Sequence, residues 1–431
     1  MSSQTTITLA GKGRPARGRV TVPGDKSISH RALIIGCLSK EGAEISNLLD
    51  SEDVRSTKNA LRLLGASIET SAGKTTARAE KLSPPSGVVD CGNSGTTARL
   101  LTGVLCAQPF KSALTGDRYL VKRPMERVIK PLSLMGARIS ADGGRLPMLI
   151  DGGEVSAIRY ETPVASAQVK SAILLAGLFA DEQTQVVEPV KTRDHTEIML
   201  RRFGARVESA GKEVMLEGGS LKDLAGAEVD VPADISSAIF PVAAAVVNPG
   251  SEVVIENVGV NPERTGGIEI LKQMGADIRL LNERDSGGER VADIAASGAG
   301  KLEGIEITGG VIARAIDELP AVAAVACFAR GTTKISGAAE LRVKESDRIE
   351  AMTQGLRNLG AKVEDFEDGM RIDGCALKAG VCSSAGDHRV AMALAVAASG
   401  AEGSSAIEGA DCAAVSFRGF FEFLEKLRSG K

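Results

Sequence analysis

The sequence predicts an α/β protein of two similar domains assembled from one repeated unit. Three observations carry that prediction. The chain has 431 residues, too many for one ordinary core, so two domains of about 200 residues each are expected. A phrase of the form apolar-Gly-Ala-x-β-branched occurs five times, and a polar turn entering an Ala/Leu/Val-rich segment occurs six times.

The first phrase appears as Leu64-Gly65-Ala66-Ser67-Ile68, Met135-Gly136-Ala137-Arg138-Ile139, Phe203-Gly204-Ala205-Arg206-Val207, Met274-Gly275-Ala276-Asp277-Ile278 and Leu359-Gly360-Ala361-Lys362-Val363. Glycine ends a helix in the left-handed conformation, and the residues after it begin a strand. Its glycines step by 71, 68, 71 and 85 residues, a spacing that coincidence explains poorly. The polar helix starts fall near Gly24, Gly92, Ala165, Ala233, Ala315 and Gly386.

Six starts against five phrases leave one unit short. The chain runs out at Phe420-Phe421-Glu422-Phe423-Leu424-Glu425-Lys426-Leu427, where the sixth strand is due. At the other end Thr6-Ile7-Thr8-Leu9 and Gly18-Arg19-Val20-Thr21-Val22 alternate like a strand pair with nothing ahead of them. They are expected to complete the sixth unit. One domain would then take residues 1–20 plus 234–431, the other 21–233, with a hinge near 20–24 and 231–235.

Composition limits what this scaffold can do. Hydrophobic content of 43% and charged content of 25% are globular values. Aromatics at 3%, with no Trp, disfavour base-stacking surfaces, and a net charge of −3 gives no field for nucleic acid or anionic lipid. The seven cysteines (37, 91, 106, 327, 375, 382, 412) are scattered without a CxxC pair, which suits reduced thiols in a cytoplasmic protein. Neither an apolar signal core nor a run of 18 apolar residues occurs, so no membrane is expected. A P-loop binder is excluded because GxxxxGK[ST] is absent.

The helix starts carry the chemistry. Helix N-termini expose unpaired N–H groups and the positive end of the dipole, so they suit anions. Ser, Asn and Asp there are usually caps, and Asp234-Ile235-Ser236-Ser237 reads as an ordinary one. Asn93 and Ser94 could as readily be a cap and a turn as anion-binding groups. Cations at a helix start oppose the dipole by about 0.3–1 kcal/mol each, yet Lys26, Arg31, Lys170 and Arg389 all lie within a turn or so of one. A bound anion would reverse that sign. Two loops add charge: Asp117 to Arg123, and Leu341-Arg342-Val343-Lys344-Glu345-Ser346-Asp347-Arg348. If the second is helical, Lys344 and Arg348 are like-charged i,i+4 neighbours; lacing by Glu345 and Asp347 is the alternative. His30, His195 and His388 lack companion Cys or carboxylate spacing, so no metal is expected.

The phrases GDKSISHRA, GNSGTTARLL, RPMERV, SAQVKSAILLAGL, TRDHTEIML, DELPAVAAVACF, ELRVKESDRIEAM and GDHRVAMALA span nearly the whole chain. In this order they resemble the signatures of 5-enolpyruvylshikimate-3-phosphate (EPSP) synthases, and SAQVKSA with RDHTE is more like the divergent bacterial branch than the enteric-type enzymes. The resemblance implies two domains, each of three βαβαββ units in an inside-out barrel-like arrangement, with helix N-termini facing an interdomain cleft. It implies transfer of the enolpyruvyl group of phosphoenolpyruvate to the 5-hydroxyl of shikimate 3-phosphate. Phosphate leaves by addition–elimination, without a cofactor, in a monomer.

Residue by residue, the resemblance places Lys26, Ser27, Arg31, Ser166, Ala167, Gln168, Arg193, Asp317 and Lys344 on shikimate 3-phosphate. It places Lys26, Asn93, Gly95, Arg123, Gln168, Arg348 and Arg389 on phosphoenolpyruvate. Asp317 would accept the hydroxyl proton and Glu345 would protonate the methylene, with Lys26 as the third catalytic group. Seven cations stand among these residues, against a substrate pair totalling roughly −5 to −6.

One departure matters. Some family members carry Lys before a Thr/Ser-Phe pair near the C-terminus, but Val415 precedes Ser416-Phe417 here; either phosphate binding is weaker, or Lys170 or another cation compensates. Gly95, lacking a β-carbon, leaves room for a phosphonate longer than phosphoenolpyruvate, so inhibition by glyphosate is expected. The sister enzyme acting on UDP-N-acetylglucosamine uses a reactive Cys or Asp in the 117–123 loop. That loop has no Cys, and Asp117 lies at its base. A catalytically dead anion-binding scaffold is disfavoured because Asp317 and Glu345 are both present.

Overall fold

The computed structural model describes residues 5–429. Its chain divides into two compact units, one of Met1–Pro23, Pro232–Asp285 and Arg290–Lys431, the other of Gly24–Val231 with Ser286–Glu289. Within each unit the repeat is visible as sheets. All five Gly-Ala glycines have positive φ, from 81° at Gly360 to 102° at Gly204. Strands follow at Ser67–Ser71, Arg138–Ala141, Val207–Ala210, Asp277–Ser286 and Lys362–Phe366. A Cβ at those glycines would meet the steric cost of left-handed backbone, so the helix–Gly–strand phrase is a local rule.

The unit containing Gly24–Val231 holds three four-stranded sheets. In each, an edge strand pairs parallel with the next, and an antiparallel hairpin completes the sheet. The strand Ala227–Asp230, from the end of the unit, closes the first sheet by pairing parallel with Ala43–Ser46. Helices Lys26–Leu38, Gly95–Leu105 and Ala167–Gly177 form its interior; their apolar residues are almost wholly buried. The last two approach so closely that a Cβ on Gly103 would lie 2.2 Å from the Ala172 carbonyl oxygen. Small residues are what allow this packing.

In the other unit two sheets have four strands and one has three. Its buried helices are Ile235–Val247, Leu319–Ala326 and His388–Gly400. Here one expectation needs correction. Thr6–Leu9 does complete the sixth unit, antiparallel to Ser405–Glu408. Arg17–Val20 does not join it; it runs parallel to Glu252–Ile255 and closes the fourth unit instead. The two N-terminal strands are therefore not a pair. A parallel partner needs a long crossover connection, which residues far apart in sequence provide. The final segment, Phe420–Ser429, is an amphipathic helix with Phe420, Phe421, Leu424 and Leu427 buried. Among the described residues no helix is long and apolar enough to cross a membrane.

Candidate active site

In the unit containing Gly24–Val231 three helix starts carry the expected polar groups. Asp25 caps Lys26–Leu38, its Oδ1 accepting from the Ile28 N–H at 2.8 Å. Lys26 Nζ lies 2.9 Å from Asp53 Oδ2. Arg31 is only 2% exposed, and it donates to the Thr196 and Ser171 hydroxyls and the Ser27 carbonyl at 2.6, 2.7 and 2.9 Å. Among the described residues these partners are all neutral. Burial, then the charge of Arg193, pushes its guanidinium down to about 10. A desolvated cation held by neutral oxygens is costly, and an incoming anion offsets that cost. His30 contributes no charge. Burial first, then Lys26 and Arg31, holds it well below the usual imidazole range, and its Nδ1 sits 2.7 Å from Thr57 Oγ1.

The second and third starts converge. Ser94 is the cap of Gly95–Leu105, accepting from Thr97 N–H at 3.1 Å. Asn93 Oδ1 instead accepts from Arg123 Nη2 at 2.6 Å. Gln168 accepts from Arg99 Nη1 at 2.8 Å and donates to Thr96 Oγ1 at 3.0 Å. Gly95 and Gln168 thus meet at Arg99 and Asn93 meets Arg123; Arg99 is not among the residues expected at the site. The signal was present: Arg99 stands four residues after Gly95, one turn along the same helix face. Ser166 caps Ala167–Gly177 through the Val169 N–H at 3.4 Å. Arg193 Nη1 approaches Ser27 Oγ at 3.4 Å, which ties the first start to the loop ahead of the helix His195–Arg202.

Lys170 is not part of this anion-binding set. It is fully buried, with its ammonium 2.8 Å from Glu188 and 2.7 Å from Glu197. The expectation that Lys170 substitutes for the cation missing at Val415 is therefore corrected: two carboxylates already occupy it.

In the other unit Arg348 is the centre. It is 2% exposed and lies 2.8 Å from Asp387, 2.7 Å from Glu345 and 3.3 Å from Asp317. Burial opposes its charge, but Asp387, Glu345 and Asp317 outweigh that and raise it above the usual arginine range. Lys344 Nζ stands 3.5 Å from Asp317. The helical reading of Lys344 and Arg348 is corrected. A short 3-10 turn ends at Val343, Asp347 caps the next helix, and that helix begins at Arg348. The lacing reading fits better, with Glu345 on Arg348 and Asp347 on Arg342 at 2.7 Å each.

Arg389 donates to the Ser236 carbonyl at 2.5 Å, and Asp387 accepts its N–H at 2.8 Å. Asp234 is the ordinary cap expected, bonding Ser236 N–H at 2.8 Å, and it also pairs with buried Arg264 at 3.3 Å. Arg264 lies 3.7 Å from Glu318 as well. Asp387, Glu318 and Arg264 were legible only as helix-start or loop residues. Their partners lie tens of residues away in sequence.

The cysteines in the core of the Gly24–Val231 unit offer no competing nucleophile. Burial pushes the thiols of Cys37, Cys91 and Cys106 up to about 12, so they stay protonated at neutral pH.

Repeated α/β units whose buried helices open on cations, with carboxylates fastened to a guanidinium, define a class of protein that grips small polyanions. The sequence model of EPSP synthase (3-phosphoshikimate 1-carboxyvinyltransferase) matches residues 11–424, and the chain belongs to that family. A 3-phosphoshikimate 1-carboxyvinyltransferase of Desulforamulus reducens is 49% identical over 421 residues, covering 95% of this chain and 97% of that protein. One of Anaeromyxobacter sp. is 51% identical over 431 residues, covering 99% and 96%. The solved structure of EPSP synthase from Acinetobacter baumannii superposes with a TM-score of 0.88 at 44% identity, over 99% of this chain and 98% of that one.

Proposed function

We propose that the cationic helix starts and the Arg348 carboxylates act on one pair of substrates, phosphoenolpyruvate and shikimate 3-phosphate. The chain is a transferase of the shikimate pathway. It moves the enolpyruvyl group to the 5-hydroxyl of shikimate 3-phosphate and releases phosphate. The observation that carries the assignment of roles is Arg348 touching both Asp317 and Glu345. One guanidinium holds the two carboxylates that acid–base chemistry needs, beside Lys344.

In this reading the acceptor lies on Ser27, Arg31, Ser166, Ala167, Arg193 and Lys344. Phosphoenolpyruvate lies on Asn93, Gly95, Arg123, Arg348 and Arg389, and Lys26 and Gln168 serve both. Asp317 takes the proton of the 5-hydroxyl as its oxygen bonds to the central carbon of phosphoenolpyruvate. Glu345 delivers a proton to the methylene, giving a tetrahedral adduct. Loss of phosphate and of a proton from the new methyl group restores the double bond. Arginine suits the anion contacts because its planar fork pairs with carboxylate and phosphate through two hydrogen bonds. The same reading takes residues 20–24 and 231–235 as a hinge, and the enzyme as a cytoplasmic monomer with neither nucleic-acid nor membrane partners.

Mixing the protein with both substrates and measuring phosphate tests the reaction. Release that requires both substrates supports it; silence with shikimate 3-phosphate but turnover with UDP-N-acetylglucosamine would overturn it.

Gly95 supplies a separate test. A Cβ there would stand 2.6 Å from Arg99 Nη1 and 3.3 Å from Arg123 Nη1. Gly95→Ala therefore fills space and displaces a guanidinium at once. Glyphosate inhibition is expected to weaken by about ten-fold or more, the scale of one misplaced methyl group, with a rise in KM for phosphoenolpyruvate. An inhibition curve superimposed on the parent's would refute the steric argument.

A further inference from the structure

The cluster of charge at Lys170 is buried and unused by the mechanism above. Glu188, Glu197 and Lys170 are each 2% exposed or less. The sequence between the two carboxylates, Pro189 to Thr196, contains Arg193. Glu188 follows the strand Thr184–Val187, and Glu197 lies in the first turn of the helix His195–Arg202.

One ammonium reaches both ends of this segment, at 2.8 Å to Glu188 and 2.7 Å to Glu197. It also donates to the Thr192 carbonyl at 3.4 Å. Glu188 in turn accepts from the Thr192 backbone N–H at 3.3 Å and from its hydroxyl. On its own helix, Lys170 donates its backbone N–H to the Ser166 carbonyl at 3.1 Å. The adjacent Ser171 and Thr196 hydroxyls meet at 2.7 Å, and both receive Arg31. A side chain that closes a loop on itself and roots it in a helix leaves that loop little freedom.

We propose that Lys170 is a positioning residue for the acceptor substrate: it locks the Arg193 loop to the helix start at Ser166 and Ala167, presetting the groups that receive shikimate 3-phosphate. This rests on the assignment of Ser166, Ala167 and Arg193 to that substrate made above. Burial pushes Glu197 up, and Lys170 opposes the shift, in keeping with a cluster that depends on its cation. Removing Lys170 alone would leave two buried carboxylates without one, which threatens folding. The informative variant is therefore Lys170→Met/Glu188→Gln, which keeps the net charge of the cluster.

The experiment is steady-state phosphate release by the parent, the double variant and Thr192→Val. Each substrate is varied with the other saturating, beside a thermal melt. For the double variant, KM for shikimate 3-phosphate should rise about ten-fold or more, with KM for phosphoenolpyruvate within about two-fold and kcat largely kept. A purely structural role would lower the melting temperature and the active fraction without moving KM, and that result would overturn the proposal. So would an equal rise in both KM values. Should the double variant not fold, Thr192→Val decides: it deletes one hydroxyl and leaves every charge in place. An acceptor KM raised about three-fold supports the proposal, and an unchanged one overturns it. Turnover by the parent with unaltered variants would sink the positioning role alone, whereas a parent releasing no phosphate would sink the functional reading and this proposal together.

Discussion

Glu345→Gln is expected to slow phosphate release by about 10²–10⁴-fold, the usual contribution of a positioned acid or base, while KM for both substrates stays close to the parent's. The amide keeps the size of the carboxylate and an oxygen able to accept from Arg348 Nη2, now 2.7 Å from Glu345 Oε2. What it loses is the capacity to carry a proton. The measurement is kcat and both KM values from initial rates of phosphate release. A variant as fast as the parent would remove Glu345 from the chemistry and leave Asp317 to serve both transfers. Following deuterium from solvent into the methylene of recovered phosphoenolpyruvate separates the roles further. Incorporation should vanish with Glu345→Gln, and its persistence would assign methylene protonation elsewhere.

Arg348→Met is expected to damage stability and activity together, through different partners. Asp387 is wholly buried and rests on Arg348 Nε at 2.8 Å. Losing that cation leaves a buried carboxylate uncompensated, a change worth about 3–5 kcal/mol of stability. Asp317 and Glu345 lose the guanidinium that holds them, and the substrate loses a donor fork. Turnover should fall by about 10²–10³-fold, the scale of one missing electrostatic donor. The double variant Arg348→Met/Asp387→Asn separates the effects. Denaturant unfolding should recover toward the parent because the stranded charge is gone, while turnover stays low. Recovery of both would mean that Arg348 matters only for folding, and the placement of Arg348 on the substrate would be wrong.

Part of this molecule is readable from short stretches. The Gly-Ala phrase works because only glycine enters the left-handed region cheaply, and all five such glycines are there. Caps read equally well: Asp25, Ser94, Ser166 and Asp234 each accept a backbone N–H two or three residues on. Such signals involve neighbours in sequence, so no tertiary partner can easily override them. Arg99 is equally visible in GNSGTTARLL, but only the fold brings its guanidinium onto Gln168.

Other features have no local signature. Lys170 looks in sequence like Lys26 and Arg31, a cation misplaced on a helix dipole. Its meaning changes only because Glu188 and Glu197, which are 18 and 27 residues away in sequence, fold onto it. The choice between a helix and charge lacing at Lys344–Arg348 was likewise open in the sequence, since it turns on Asp347 capping the following helix.

From the sequence alone came the α/β class, the six-fold unit, the helix starts and the family's chemistry. These rest on backbone conformation, capping and motif order, all set within a few residues. The tertiary structure alone decided which sheet each N-terminal strand joins and which cations meet buried carboxylates. Those outcomes depend on desolvation and on partners far along the chain. A charge leaving water must find its counterpart wherever the packed fold has placed one.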